Sequence, residues 1–69
     1  GQEMFHLMQN YVKVAVDRMG GPTKAAIAME VSGTTIHDWI KRQRIVSLDK
    51  AKLMAKISGL ELQQLRRVL

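Results

Sequence analysis

Apolar residues recur at helical spacing along most of the chain, and nowhere do apolar and polar residues alternate long enough to suggest a strand. Phe5, Met8, Val12, Ala15, Val16 and Met19 fall on one face, with Gln9, Lys13 and Asp17 opposite, until Gly20-Gly21 supplies a left-handed stop. This pattern predicts a first helix over about residues 3 to 19. Pro22 suits a first helical position, because its missing N–H would have no partner there and its ring already holds a helical dihedral, so a second helix is expected from Pro22 to about Met29. Ser32 is placed to cap a third helix, which carries Ile36, Trp39 and Ile40 inward until the basic cluster of Lys41, Arg42 and Arg44. Residues 42 to 46 read as a short basic loop. Ser47 then caps a fourth helix over Leu48 to Ile57, and Gly59 closes it. Leu62, Leu65 and Leu69 share one face of a short fifth helix, with Leu60 and Val68 flanking and Arg66 and Arg67 on its outer side. The expected architecture is all-α: one small five-helix domain over residues 2 to 69, with no repeat, low-complexity tract or dividing linker.

Composition narrows the picture. A chain of 69 residues has a core only just large enough for independent folding, and without cysteine neither a disulfide nor a thiolate metal site can staple it. Stability must come from packed helices. With 11 Lys and Arg against 6 Asp and Glu, the net charge of +5 suits a phosphate-bearing partner. No apolar run approaches the roughly 18 to 20 residues of a spanning helix, and the amino end lacks a signal peptide's basic start and cleavage site, so a soluble cytoplasmic protein with no membrane partner is expected. Gly1, where an initiator Met would stand, suggests a processed amino end and carries no fold argument.

The stretch from Pro22 to Trp39 is the most informative segment. Two helices crossing steeply through a short turn need a small residue where the second presses on the first, and apolar anchors on both inner faces. Ala26 is that small residue, with Met29, Val31, Ile36 and Trp39 as anchors, which makes residues 22 to 41 a helix-turn-helix core and points to double-stranded DNA.

The segment Thr23 to Trp39, followed by a basic loop, a capped helix and the ending Gly-Leu-x-Leu-x-x-Leu-Arg over residues 59 to 66, resembles the Cro/CI family of phage and prophage repressors. Within it, the chain is most similar to the small all-helical Cro proteins and the Cro-like regulators of the YdaS type. The likeness covers about residues 12 to 67. It implies a lambda-repressor-like transcriptional regulator that docks the amino half of helix 3 in the major groove. One position departs from the pattern: the family's turn glycine is Glu30 here, and a non-glycine residue in a left-handed turn costs roughly 1 kcal/mol.

The family's base-reading positions correspond to Gly33, Thr34, His37 and Asp38. Helix geometry points the same way, since a helix packed through Ile36, Trp39 and Ile40 turns Thr34, His37, Asp38 and Lys41 to solvent. Thr34 can offer a hydroxyl to a base or a methyl to thymine, His37 can bond a purine edge, and Asp38 can accept from a cytosine amino group. Gly33 has no side chain to read with and would let the backbone come close. Thr23 and Lys24, at the positive amino end of helix 2, are expected on phosphates, as are Ser32, Thr35, Lys41, Arg42 and Arg44.

Other residues carry plainer readings. Trp39 is a core anchor, and Met4, Met8, Met19, Met29 and Met54 are core filling. His6 reads as a surface residue, and two histidines without cysteine do not suggest a metal site. Lys50, Lys52 and Lys56 read as a solvated helix face, and Arg66 and Arg67 as charges offsetting a helix dipole. Asp17, Asp38 and Asp49 are far apart, no nucleophile has an evident base, and no Gly-rich loop follows a strand, so neither an enzyme nor a cofactor or small-molecule site is expected. One reading helix discriminates too little alone, which implies a homodimer on a pseudopalindromic operator. The expected pairing surfaces are Leu65, Val68 and Leu69, or Met4, Phe5 and Met8. The alternative is a helical protein-interaction module or antitoxin that has lost specific readout, a reading favoured by Glu30, Gly33 and Asp38.

Overall fold

A computed structural model of the chain describes residues 9 to 66. Among them it contains five helices and no strand: α1 (Tyr11–Arg18), α2 (Pro22–Met29), α3 (Gly33–Arg42), α4 (Leu48–Ser58) and α5 (Leu62–Leu65). The protein is a small all-helical domain. No helix among the described residues is long and apolar enough to cross a membrane.

Helix starts follow side-chain chemistry. Ser32 Oγ accepts from the Thr35 N–H at 3.1 Å and Ser47 Oγ from the Lys50 N–H at 3.4 Å, each satisfying a first-turn donor that the helix leaves open. The same device corrects the expected first helix. Asn10 is extended, and its Oδ1 accepts from the Lys13 N–H, so α1 begins at Tyr11 and does not run unbroken from residue 3. The Asn10 amide also donates to the Ile40 carbonyl at 2.7 Å, tying this start to the last turn of α3. Met4, Phe5, His6, Met8, Arg67, Val68 and Leu69 lie outside the described residues.

Helix stops use left-handed residues. At the ends of α1, α2 and α3 an N–H reaches back five residues, from Gly21 to Val16, Val31 to Ala26 and Arg44 to Trp39, which satisfies carbonyls the helix cannot. Gly21, at φ 105° and ψ 173°, occupies a region open essentially to glycine alone. The residue just before each of these N–H groups is left-handed: Gly20 after α1, at φ 101°, and Glu30 and Gln43 after α2 and α3, at φ 57° and 59°, without glycine. The α2–α3 turn therefore keeps the geometry that a turn glycine would provide.

The core draws on every helix and the α3–α4 loop. Val12, Ala15, Val16, Ala25, Ala26, Met29, Ile36, Trp39, Ile45, Ala51, Met54 and Leu65 are buried together, with Met19, Val31, Ile40, Leu53, Leu60 and Leu62 packed around them. Each of the larger aliphatic chains contributes about 1.5 to 3 kcal/mol of burial. Leu65 is fully buried, because its carbonyl accepts from the Ile45 N–H at 2.8 Å and draws α5 against the loop. It is core, not the expected pairing edge. Arg66 is likewise not an outward charge: it is half-buried, and its Nη2 donates to the Val46 carbonyl at 3.3 Å.

Polar side chains bridge helices at their carbonyl ends. Arg18 Nη1 donates to the Ser58 carbonyl at the end of α4, and Lys50 Nζ to the Met29 carbonyl at the end of α2, at 2.7 Å. Lys50 is thus half-buried and structural, while Lys52 and Lys56 remain on the solvated face as expected. Lys13 and Asp17 form the exposed pair of the polar face of α1.

Two stability measurements check this description. Glu30→Gly should raise stability by about 1 kcal/mol, as the left-handed strain is relieved, and shift the melting temperature up by about 4 to 8 °C. Lys50→Met, which keeps the aliphatic stem and removes the bond to Met29, should cost about 1 kcal/mol in a denaturant titration, whereas Lys52→Met should change stability by less than about 0.5 kcal/mol.

Candidate nucleic-acid interface

The α2–α3 pair presents the polar residues that the sequence singles out. These two helices make the most extensive contact of any pair among the described residues, and each gives side chains to the shared core, Ala26 and Met29 from α2 and Ile36 and Trp39 from α3. Burial of Ile36 and Trp39, with Ile40 half-covered, fixes the rotation of α3 about its axis. Thr34, His37, Asp38 and Lys41 are consequently exposed on its other side, and Gly33 and Arg42 are exposed at its two ends. Trp39 is 7% exposed, so its indole is a core anchor and offers no stacking platform.

The amino ends of α2 and α3 differ. Ser32 caps α3, and its hydroxyl also lies 3.0 Å from that of the half-buried Thr35, so these two side chains hold each other at the helix entrance. No side chain caps α2. Gly21 precedes it, leaving the first-turn N–H groups of exposed Thr23 and Lys24 without a capping oxygen at the positive end of the helix.

Gly33 lies at the first position of α3, and a Cβ built there would meet nothing within 4 Å. Its dihedral is not left-handed, so neither backbone nor packing requires glycine.

At the other end of the exposed face, Arg42 Nε lies 2.9 Å from Asp38 Oδ2 and 3.1 Å from Oδ1. The expected base reader and the expected phosphate clamp are therefore partners of each other. Lys41 beside them is exposed, with no carboxylate of the described residues within ion-pair distance. Arg44, also expected on a phosphate, is half-buried in the α3–α4 loop, and its Nε is buried with no hydrogen-bond partner among the described residues. The Asp38–Arg42 pair was within reach of the sequence, since an acid four residues before an arginine on a helix is the spacing at which ion pairs form, whereas nothing along the chain marked the burial of Arg44.

Among the described residues no group of His, Asp and Glu side chains is placed to hold a metal ion. Large aliphatic side chains are exposed at Ile27, Val46, Leu48 and Ile57, most of all Ile27 at 73%. Searches against protein-family models, curated proteins and solved structures gave no match to this chain.

The interface yields a test that separates folding from contact. Gly33→Ala should leave the domain as stable as the parent or up to about 1 kcal/mol more so, since alanine is the better helix former and has room. A cost in stability would contradict the open geometry at this position.

Proposed function

We propose that the protein is a sequence-specific double-stranded DNA-binding regulator of the Cro type, inserting α3 into the major groove of an operator. The observation that carries this reading is the polar face of α3. Thr34, His37 and Asp38 stand exposed on one side of a helix whose opposite side is locked into the core, so hydrogen-bonding groups are held on a rigid element. Gly33 supports the reading because the fold does not need a glycine there, whereas a backbone approaching DNA closely would. Thr23 and Lys24 at the uncapped end of α2, with Lys41 beyond the reading face, supply phosphate contacts. The Ser32 and Thr35 hydroxyls, paired with each other, stand at the entrance of α3 as further phosphate contacts. The +5 charge gives the association its salt-sensitive, sequence-independent part.

Two copies would read inverted half-sites about one helical turn apart, because three side chains discriminate too weakly alone. Such a regulator acts in the cytoplasm, blocking or recruiting polymerase at the operator.

One observation favours a second reading. Ile27 stands 73% exposed on α2, and a bare aliphatic side chain of that size suits a protein partner better than a phosphate backbone. In that reading the domain is a helical interaction module or antitoxin. Arg42→Glu separates the two, abolishing DNA binding under the first and leaving partner binding intact under the second.

Selection of random duplex DNA by the purified protein at about 150 mM salt tests the function directly, since that salt suppresses purely electrostatic binding. An enriched inverted repeat is expected, and Thr34→Ala and His37→Ala should each relax preference at separate base pairs by about 1 to 3 kcal/mol. A folded protein that enriches nothing would overturn the reading.

A further inference from the structure

We infer that Arg42 reads a guanine and that Asp38 is its positioning residue, so that the two act as one reading unit. The inference rests on the DNA-binding reading above and changes the division of labour within it. Asp38 is no longer a direct base reader, and Arg42 no longer a backbone clamp.

Arg42 is the last residue of α3 and, extended straight outward, would meet DNA only where the helix leaves the groove. Asp38 lies one turn nearer the amino end, about 6 Å back along the axis at roughly 1.5 Å per residue. With Nε held 2.9 Å from Oδ2 and 3.1 Å from Oδ1, the guanidinium is drawn back over that turn, on the exposed face that also carries His37 and Thr34. Among the described residues, the contact with Asp38 engages Nε and no other guanidinium nitrogen. Both Nη groups remain, and this end-on fork matches the O6 and N7 acceptors of guanine in the major groove.

Electrostatics favours the same division. A lone carboxylate entering a groove lined by phosphates is repelled, whereas Asp38 enters already paired with a cation. The pair is exposed, at 62% for the Arg42 side chain and 48% for Asp38, so in the free protein it adds little to stability. Its effect falls on the geometry of the fork, because an arginine limited to fewer conformers loses less entropy on binding a base. Arg42→Lys removes the fork and keeps the charge. Asp38→Asn removes the anchoring charge and keeps the shape.

The test is duplex selection with the parent protein, Asp38→Asn, Arg42→Lys and the double variant, followed by binding measurements on the parent's enriched site with each base pair changed in turn. Both single variants are expected to lose discrimination at the same G·C pair, by roughly 5- to 100-fold, while discrimination at the other pairs is kept. The double variant should lose no more at that pair than either single one. If Asp38→Asn relaxes a pair that Arg42→Lys leaves intact, Asp38 contacts a base itself and the inference fails. Uniform weakening across all sequences by Arg42→Lys makes Arg42 a phosphate clamp and also overturns it. A parent protein that enriches no site removes the DNA-binding reading and this inference with it, an outcome distinct from the other two. The exposure of both residues keeps folding out of the comparison, and the melting temperature of each variant checks that it does.

Discussion

The crossing of α2 and α3 is the constraint on which the rest of the structure depends. Ala26 lets the helices approach, Met29, Ile36 and Trp39 fill the space between them, and the left-handed backbone at Glu30 turns the chain so that they meet. That packing determines which side of α3 faces the core and so which side chains face outward. A change in the crossing would rotate Thr34, His37 and Asp38 together.

The rest of the chain braces this pair at its carbonyl ends. Lys50 of α4 bonds the last carbonyl of α2, and Asn10, ahead of α1, bonds a carbonyl in the last turn of α3. The Lys50 bond satisfies an acceptor that the end of α2 leaves open, the Asn10 bond adds a second donor to a carbonyl that already accepts from the Gln43 N–H, and each comes from an element distant in sequence. In a domain of this size the hydrophobic core leaves little margin, so bonds of about 1 kcal/mol at such positions matter. The outer face of α3 is free of such duties. Gly33 meets nothing, and Asp38 and Arg42 bond only each other among the described contacts.

Local rules made most of the fold legible in the sequence. Pro22 and the serines at 32 and 47 marked helix starts, Gly20, Gly21 and Gly59 marked stops, and the spacing of Ile36 and Trp39 gave the buried side of α3. Asn10 carried an equally local signal, a capping residue ahead of an apolar run, but the periodicity of the preceding residues masked it. What stayed hidden was tertiary. Leu65 belongs to a face that looks free until the Ile45 N–H draws α5 onto the core, and nothing along the chain links Lys50 to Met29 or Arg66 to Val46. Gln43 in the left-handed position after α3 was equally silent, because glutamine carries no preference for that conformation. On the exposed face, Asp38 and Arg42 stand four residues apart, the spacing at which helical ion pairs form, so this pairing was legible, and assigning each residue a role by its type alone overlooked it.

The central claim is that α3 presents its outer face to DNA. Amide chemical shifts recorded while a duplex is titrated into the labelled protein test it most directly. The account predicts perturbations concentrated at Thr23 and Lys24 and along residues 32 to 42, with the Arg42 Nε signal among the most shifted. Perturbations centred on α4 and α5, or none at concentrations where the domain is folded, would contradict it.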